Sequence, residues 1–158
     1  AISAMKEDGT LSALENEYVH NPAHKVMSHT FEYFPEAETV TVAVTGDMPP
    51  LDMFAGDGKP AGYSTAILAE IGKRIRKNIR YVNTNAGGRS QALTSGRADV
   101  LFWCQTAENE TLNEAAHEDL YSLFSDAPQG IIISEPYYKW NREMILKMNT
   151  IFVLLIMK

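Results

Sequence analysis

The chain reads TVTVAVTGDMPPLDMFAGDGKPAGYSTAILAEIGKRI from Thr39 to Ile75, continues IRYVNT from Ile79 to Thr84, and then GGRSQALTSGRADVLFW from Gly87 to Trp103. Thr39 to Thr45 alternates apolar and β-branched residues without a breaker, which predicts a strand stopped by Gly46, Asp47 and the Pro49-Pro50 pair. A helix follows, because Ile67, Leu68, Ile71 and Ile75 recur on one stripe opposite Glu70, Lys73, Arg74 and Lys77. Ser64 or Thr65 is the expected amino-terminal cap, and the basic residues crowd the end where they complement the helix dipole. Ile79 to Val82 reads as a second strand, Ser90 to Ser95 as a short helix closed by Gly96, and Asp99 to Trp103 as a strand covered on both faces. Strand, helix, strand, helix, strand implies right-handed crossovers and a parallel sheet. Ligands of open α/β sheets bind at the carboxyl ends of such strands, so the polar loop after the first strand is the first place to look for a site.

The order of strand, T-G-D-M-P-P-L, D-G-K-P-A-G-Y, a helix ending I-G-K-R-I, strand, Q-A-L-T-S-G-R-A-D-V and S-E-P-Y-Y resembles the first lobe of the type 2 periplasmic solute-binding proteins. Within that class it is similar to family 3, which binds amino acids and other small polar solutes. The matching stretches are Val40 to Phe102 and Ser134 to Tyr138, a little under half of the chain. The resemblance implies an α/β fold: a single periplasmic-binding-protein-like lobe, with a mainly parallel sheet of about five strands flanked by helices and one antiparallel crossing strand. It also implies an extracytoplasmic protein that binds a solute without chemistry, as a hinge closes two lobes and a partner reads the closure. That partner is a membrane permease in an ABC transporter or, alternatively, the signalling domain of a receptor such as a sensor kinase or cyclase.

Carried over position by position, the resemblance puts Asp47, Met48 and Leu51 in the ligand loop after strand one and Tyr63 in the turn before the helix. Asn85 and Arg89 lie in the loop after strand two, and Trp103, Gln105 and Thr106 at the end of strand three. Where the family is expected to clamp an amino acid's carboxylate with an arginine, this chain has C-Q-T-A-E-N-E-T from Cys104, and no arginine between Trp103 and Ile131. Nothing in that acidic stretch replaces the planar fork of a guanidinium. Arg89 then points toward an anionic ligand, and Asp47 with Asp52 toward a cationic one. Trp103 stands where the family has a small residue, so it would narrow the pocket or stack on the solute. Half a cleft is expected to bind weakly, because much of the enclosure is absent.

The flanks are less regular. Ala1 to Tyr18 shows no basic start and no apolar core of a signal peptide, and reads as two helices broken at Asp8-Gly9, with Thr10 capping the second. Residues 1–19 resemble the helices that close a binding-protein domain, as if a tandem copy preceded this one. If they reached another chain, the protein would be a domain-swapped homodimer. Residues 20–38 read as a linker with an aromatic anchor at Phe31, Tyr33 and Phe34, residues 39–138 as the lobe, and residues 139–158 as the crossing strand from Trp140 to Met148 and a tail. In that tail Ile151 to Ile156 (IFVLLI) is far shorter than the ~20 residues that span a bilayer, and is expected to be an extra strand or a packed tail. Leu112, Ala115, Ala116 and Leu120 suggest one or two short helices between Glu108 and Asp126, with His117 at their surface.

At 158 residues and 45% hydrophobic, the chain is long enough to bury a core, and its net charge of -6 argues against nucleic acid as a partner. His20, His24 and His29 lie close in sequence, but no cysteine or carboxylate completes a metal pattern, and neither a metal nor a cofactor is expected. No catalytic residues are expected either. Cys104 lacks a histidine partner in any recognisable motif, and Asp47 lacks the acidic neighbour of a phospho-acceptor site.

Overall fold

The computed structural model describes residues 1–21, 23, 26–107, 131–134, 136–141 and 149–157, which fall into two compact units, Ala1–Leu101 and Phe102–Lys158. The Glu108 to Asp126 segment, His24, His117 and residues 142–148 of the expected crossing strand lie outside the described residues.

The first unit is built on the strand that the alternation marks. β1 (Thr39–Val44) runs parallel to β4 (Asn78–Asn83), from Thr39 opposite Asn78 to Val44 opposite Asn83. On its other edge it runs parallel to the start of β5 (Val100–Ala107), with Val42 opposite Val100. Thr41, Val42, Ala43 and Val44 are all buried, so β1 is covered on both faces, as a continuous apolar strand requires. Between β1 and β4 come a two-stranded ribbon, β2 (Met53–Phe54) with β3 (Pro60–Ala61), and then α3 (Tyr63–Ile75). α4 (Arg89–Thr94) leads back to β5, and Gly96 takes the left-handed conformation at its end (φ 71°), as expected.

Helix α3 departs from its apolar stripe in one respect. Ile67 and Leu68 are buried, but Ile75 is 42% exposed, and the buried face passes instead through Gly72. A Cβ at Gly72 would lie 2.6 Å from the Ile79 side chain, so a missing side chain lets the helix approach β4 where an isoleucine stripe would hold it off. The expected caps are corrected as well. Gly62 (φ 95°, ψ -179°) precedes α3, and Ser64 and Thr65 sit inside its first turn, with Thr65 Oγ1 donating back to the Ala61 carbonyl.

α1 (Ile2–Glu7) and α2 (Thr10–Glu15) precede the lobe, followed by a π-helical turn at Asn16–His20. Gly9 at φ 79°, with Asp8 accepting from the Thr10 amide at 3.0 Å, makes the break that Thr10 was expected to cap. Ile2, Met5 and Leu11 are buried, and Arg74 of α3 reaches Asp8 at 2.7 Å and the Thr10 hydroxyl at 2.8 Å, so these helices pack on their own lobe. The linker is anchored through backbone more than through rings. Asn78 donates to the Phe34 and Ala37 carbonyls and accepts from the Phe34 amide, and Arg76 stacks over the Phe34 ring. Tyr33 is 75% exposed and anchors nothing by burial.

The second unit holds the rest of β5, then β6 (Ile131–Ile133), β7 (Tyr138–Asn141) and β8 (Asn149–Met157). The apolar tail is the strand β8, antiparallel to both others: Ile131 opposes Met157, and Tyr138 opposes Phe152. Its register steps by two residues between β6 and β7, across Pro136, which cannot donate to a ladder. The described part of the expected crossing strand is β7, which ends at Asn141.

Candidate functional site

The loop after β1 is stiffened by a carboxylate. Asp52 is 1% exposed, and its Oδ2 accepts from the Thr45 amide (3.1 Å), the Gly46 amide (2.9 Å) and the Thr45 hydroxyl (3.1 Å). The same hydroxyl lies 2.5 Å from Asp47 Oδ1, so its single proton bridges an exposed acid and a buried one. The Met48 amide donates to the Asp52 carbonyl, the Leu51 and Asp52 amides donate back to the Met48 carbonyl, and the Pro49–Pro50 bond between them is cis.

The loop also caps the next helix. The Tyr63 amide donates to the Pro50 carbonyl (3.1 Å) and the Ser64 amide to the Leu51 carbonyl (2.8 Å), which satisfies amides that a side-chain cap would otherwise serve. Only glycine fits at position 62, since a Cβ there would lie 2.6 Å from the Pro50 oxygen and its backbone conformation is one that glycine alone adopts readily. The Phe54 ring lies over Gly46, where a Cβ would come within 2.1 Å of it.

These contacts sort the expected site residues of the first unit. Asp47 is exposed and Met48 half-buried, both on the loop at the carboxyl end of β1. Leu51 and Tyr63 are corrected to core residues, 2% and 0% exposed, because the loop folds down onto the start of α3 and carries them inward. Asp52 is spent on its own loop. Phe54 was not foreseen, although it is the one aromatic residue between Thr45 and Gly62. Arg89 opens α4, and its side chain lies outside the described residues. In the second unit, Trp103, Gln105 and Thr106 belong to β5, which continues to Ala107; the run V-L-F-W-C-Q-T-A holds no breaker, so Gln105 and Thr106 lie in the strand and not in a loop after it. Their side chains also lie outside the described residues.

A second polar feature opens where β4 ends. A cleft of about 690 Å³ is bounded by Asn83, Thr84 and Asn85 on the loop side and by Gly87 and Gly88 at the turn. Gln91, Ala92 and Ser95 of the α4 segment and Arg97 close it. The Gly88 amide donates to Asn85 Oδ1 at 2.7 Å, which turns the Asn85 amide nitrogen into the available end of that side chain. Arg97 Nη2 donates to the Asn83 carbonyl at 3.3 Å. The size suits a small solute, and the lining is polar where drug-sized pockets are mostly apolar. Among the described residues, no three histidine, cysteine or acidic side chains gather as a metal site would need, and no helix is long and apolar enough to cross a membrane.

A parallel sheet with helices on it and polar loops at its carboxyl edge defines a lobe of the periplasmic-binding-protein class. Residues 40–149 match the family of bacterial extracellular solute-binding proteins, family 3, and the chain belongs to that family. Among solved structures it is similar to the Phe57Trp mutant of the arginine-bound form of domain 1 from TmArgBP, at 15% identity and TM-score 0.51, covering 100% of this chain and 85% of that one. The arginine-bound form of domain 1 from TmArgBP itself matches at 16% identity and TM-score 0.51, over 76% of this chain and 80% of that one. At such identities the likeness is one of fold. A histidine kinase sensor domain with similarity to periplasmic binding proteins matches at 29% identity and TM-score 0.43, and there the chain covers 46% of its own length and 32% of the sensor domain. No curated protein matches the chain.

Proposed function

We propose that the chain is the solute-binding lobe of an extracytoplasmic receptor for a small, polar, amino-acid-like solute, which it binds without chemistry and presents to the membrane permease of an ABC transporter. The observation that carries this reading is the edge of the sheet: the adjacent parallel strands β1 and β4 both end in polar, solvent-accessible loops, and one of these borders a cleft of solute size. Asp47 and Met48 on the first loop and Asn85 on the second are the contact residues proposed in the described part, with Arg89, Trp103, Gln105 and Thr106 as further candidates. The two domain 1 structures of similar fold hold arginine, so a lobe of this size is a sufficient unit for an amino acid in that protein. The receptor reading uses the same lobe and differs only in what reads it. The coding sequence on either side separates the two: a neighbouring permease gene supports transport, and an in-frame kinase or cyclase supports sensing.

The test of solute binding is amide chemical-shift mapping of the 15N-labelled chain with amino acids, polyamines, organic acids and sugars. A solute of this class shifts the amides of Asp47, Met48 and Asn85 in a saturable way. Saturable binding that leaves both loops unmoved, or no binding by any of the panel, overturns the reading.

A further inference from the structure

We infer that the cleft at the end of β4 receives a carboxylate of the solute, and that Arg97 is the cation that selects it. This deepens the function proposed above and rests on it. Arg97 has no carboxylate within ion-pair distance among the described residues; its one hydrogen bond goes to the neutral Asn83 carbonyl, which leaves most of the five guanidinium donors for a ligand. Asn85 adds a donor, since its oxygen is engaged by the Gly88 amide. None of the described residues that line the cleft is acidic. A donor-rich wall around one guanidinium is the chemistry that recognises an oxyanion.

The charge distribution of the chain agrees. From Ile71 to Ala98 there is no Asp or Glu, yet seven of the chain's fourteen lysines and arginines fall there; with all twenty acidic residues, the remainder carries a formal charge of -13. Part of that excess is committed elsewhere. Arg74 is paired with Asp8 and Glu70, Lys77 with Glu38, and Arg80 hydrogen-bonds the Thr41 hydroxyl. Arg97, whose guanidinium reaches the Asn83 carbonyl at the end of β4, has no such acid partner among the described residues. The acids that would favour a cationic solute are accounted for differently: Asp52 is buried against its own loop, and Asp47 belongs to the other loop. Position 97 thus offers the guanidinium that the stretch after strand three lacks.

The test titrates the labelled 158-residue chain with succinate, its neutral analogue succinamide and the diamine putrescine. Succinate shifts the amides of Asn85, Gly87, Gly88 and Gln91 with millimolar half-saturation, and added salt weakens it. Arg97→Gln weakens succinate about tenfold, Arg97→Lys falls between because it keeps the charge and loses the fork, and Lys59→Gln, a surface cation remote from the cleft, changes nothing. Should Arg97→Gln fail to fold, Arg97→Lys against the parent carries the comparison. Equal response to succinate and putrescine, no saturable response to succinate, or succinate binding that neither Arg97 variant alters overturns the inference. If succinate fails while another solute shifts the same loops, solute binding stands and only the carboxylate assignment falls; if no solute binds, both fall.

Discussion

The loops that follow β1 and β4 leave the same edge of one parallel sheet, yet they use their charged groups in opposite ways. The first turns its acid inward: Asp52 is buried and accepts three hydrogen bonds from the residues that begin the loop. The second is met by a cation turned outward: Arg97, in the turn between α4 and β5, is exposed, and its guanidinium reaches the Asn83 carbonyl beside the cleft. A buried carboxylate that accepts its hydrogen bonds from its own loop fixes that loop and is withdrawn from a ligand. A solvated guanidinium with spare donors fixes little and is available to a ligand. One loop is built to be rigid, and the other to be specific.

The largest expected effect follows from the first loop. Asp52→Ala removes the acceptor of the part-buried Thr45 and Gly46 amides, leaving the Thr45 hydroxyl to Asp47 alone, and is expected to destabilise the first unit by about 3 kcal/mol in urea unfolding. Asn85→Ala, which removes one exposed acceptor from the Gly88 amide, is expected to cost no more than about 1 kcal/mol. Equal costs would break the contrast between the two loops. Gly62→Ala comes next: a methyl group 2.6 Å from the Pro50 oxygen, on a backbone that only glycine adopts readily, should cost about 2 kcal/mol and shift the amides of Pro50's neighbours, Leu51 and Tyr63. A silent Gly62→Ala would mean that the first loop is not held against α3 as described.

Much of this framework was legible in the sequence. The strand at Thr39, the helix carrying Ile67 and Leu68, the Gly96 stop and the apolar strand from Val100 all follow from local period and turn chemistry, and so does the parallel order. What escaped depends on burial and on partners distant in the chain. Leu51, Tyr63 and Asp52 sit in a stretch whose composition is that of an exposed turn, and only the folding of the loop onto α3 puts them inside. Ser64 and Thr65 look like caps by type, but the carbonyls of Pro50 and Leu51 had already taken that role. Arg97 reads as one more surface cation after a helix stop until its reach to Asn83, 14 residues earlier, is seen. A signal was present nonetheless: the absence of any acid from Ile71 to Ala98 is visible in the bare sequence.

A smaller effect sharpens the second loop. A Cβ at Gly88 would lie 2.8 Å from the Thr84 hydroxyl and 3.1 Å from Asn85 Oδ1. Gly88→Ala should therefore displace Thr84 and Asn85 with a stability change of about 1 kcal/mol or less, while weakening succinate several-fold. Loss of stability comparable to Asp52→Ala would show that the second loop is structural too.

The smallest effect tests an exposed acid against the buried Asp52. Thr10 foremost, and then Arg74, hold the Asp8 carboxyl down at about 2, from 3.8. A depressed folded-state value stabilises above the unfolded one, so the contribution of Asp8 is complete above about pH 4 and fades as pH falls toward 2. Glu38 and Asp57 are also held below the usual carboxylate range, by the Lys77 and Ser28 hydrogen bonds, so the parent loses stability over that acid range for several reasons at once. The difference in melting temperature between the parent and Asp8→Asn isolates one of them: it should be small at pH 7, vanish by pH 2 and shrink with added salt, because the Arg74 pair is solvated. A difference that persists at pH 2 would mean that Asp8→Asn perturbs the docking of α1 and α2 on α3 through hydrogen bonding and not through charge, and one that rivals Asp52→Ala at pH 7 would mean that exposure does not separate the weak carboxylates of this lobe from the strong one.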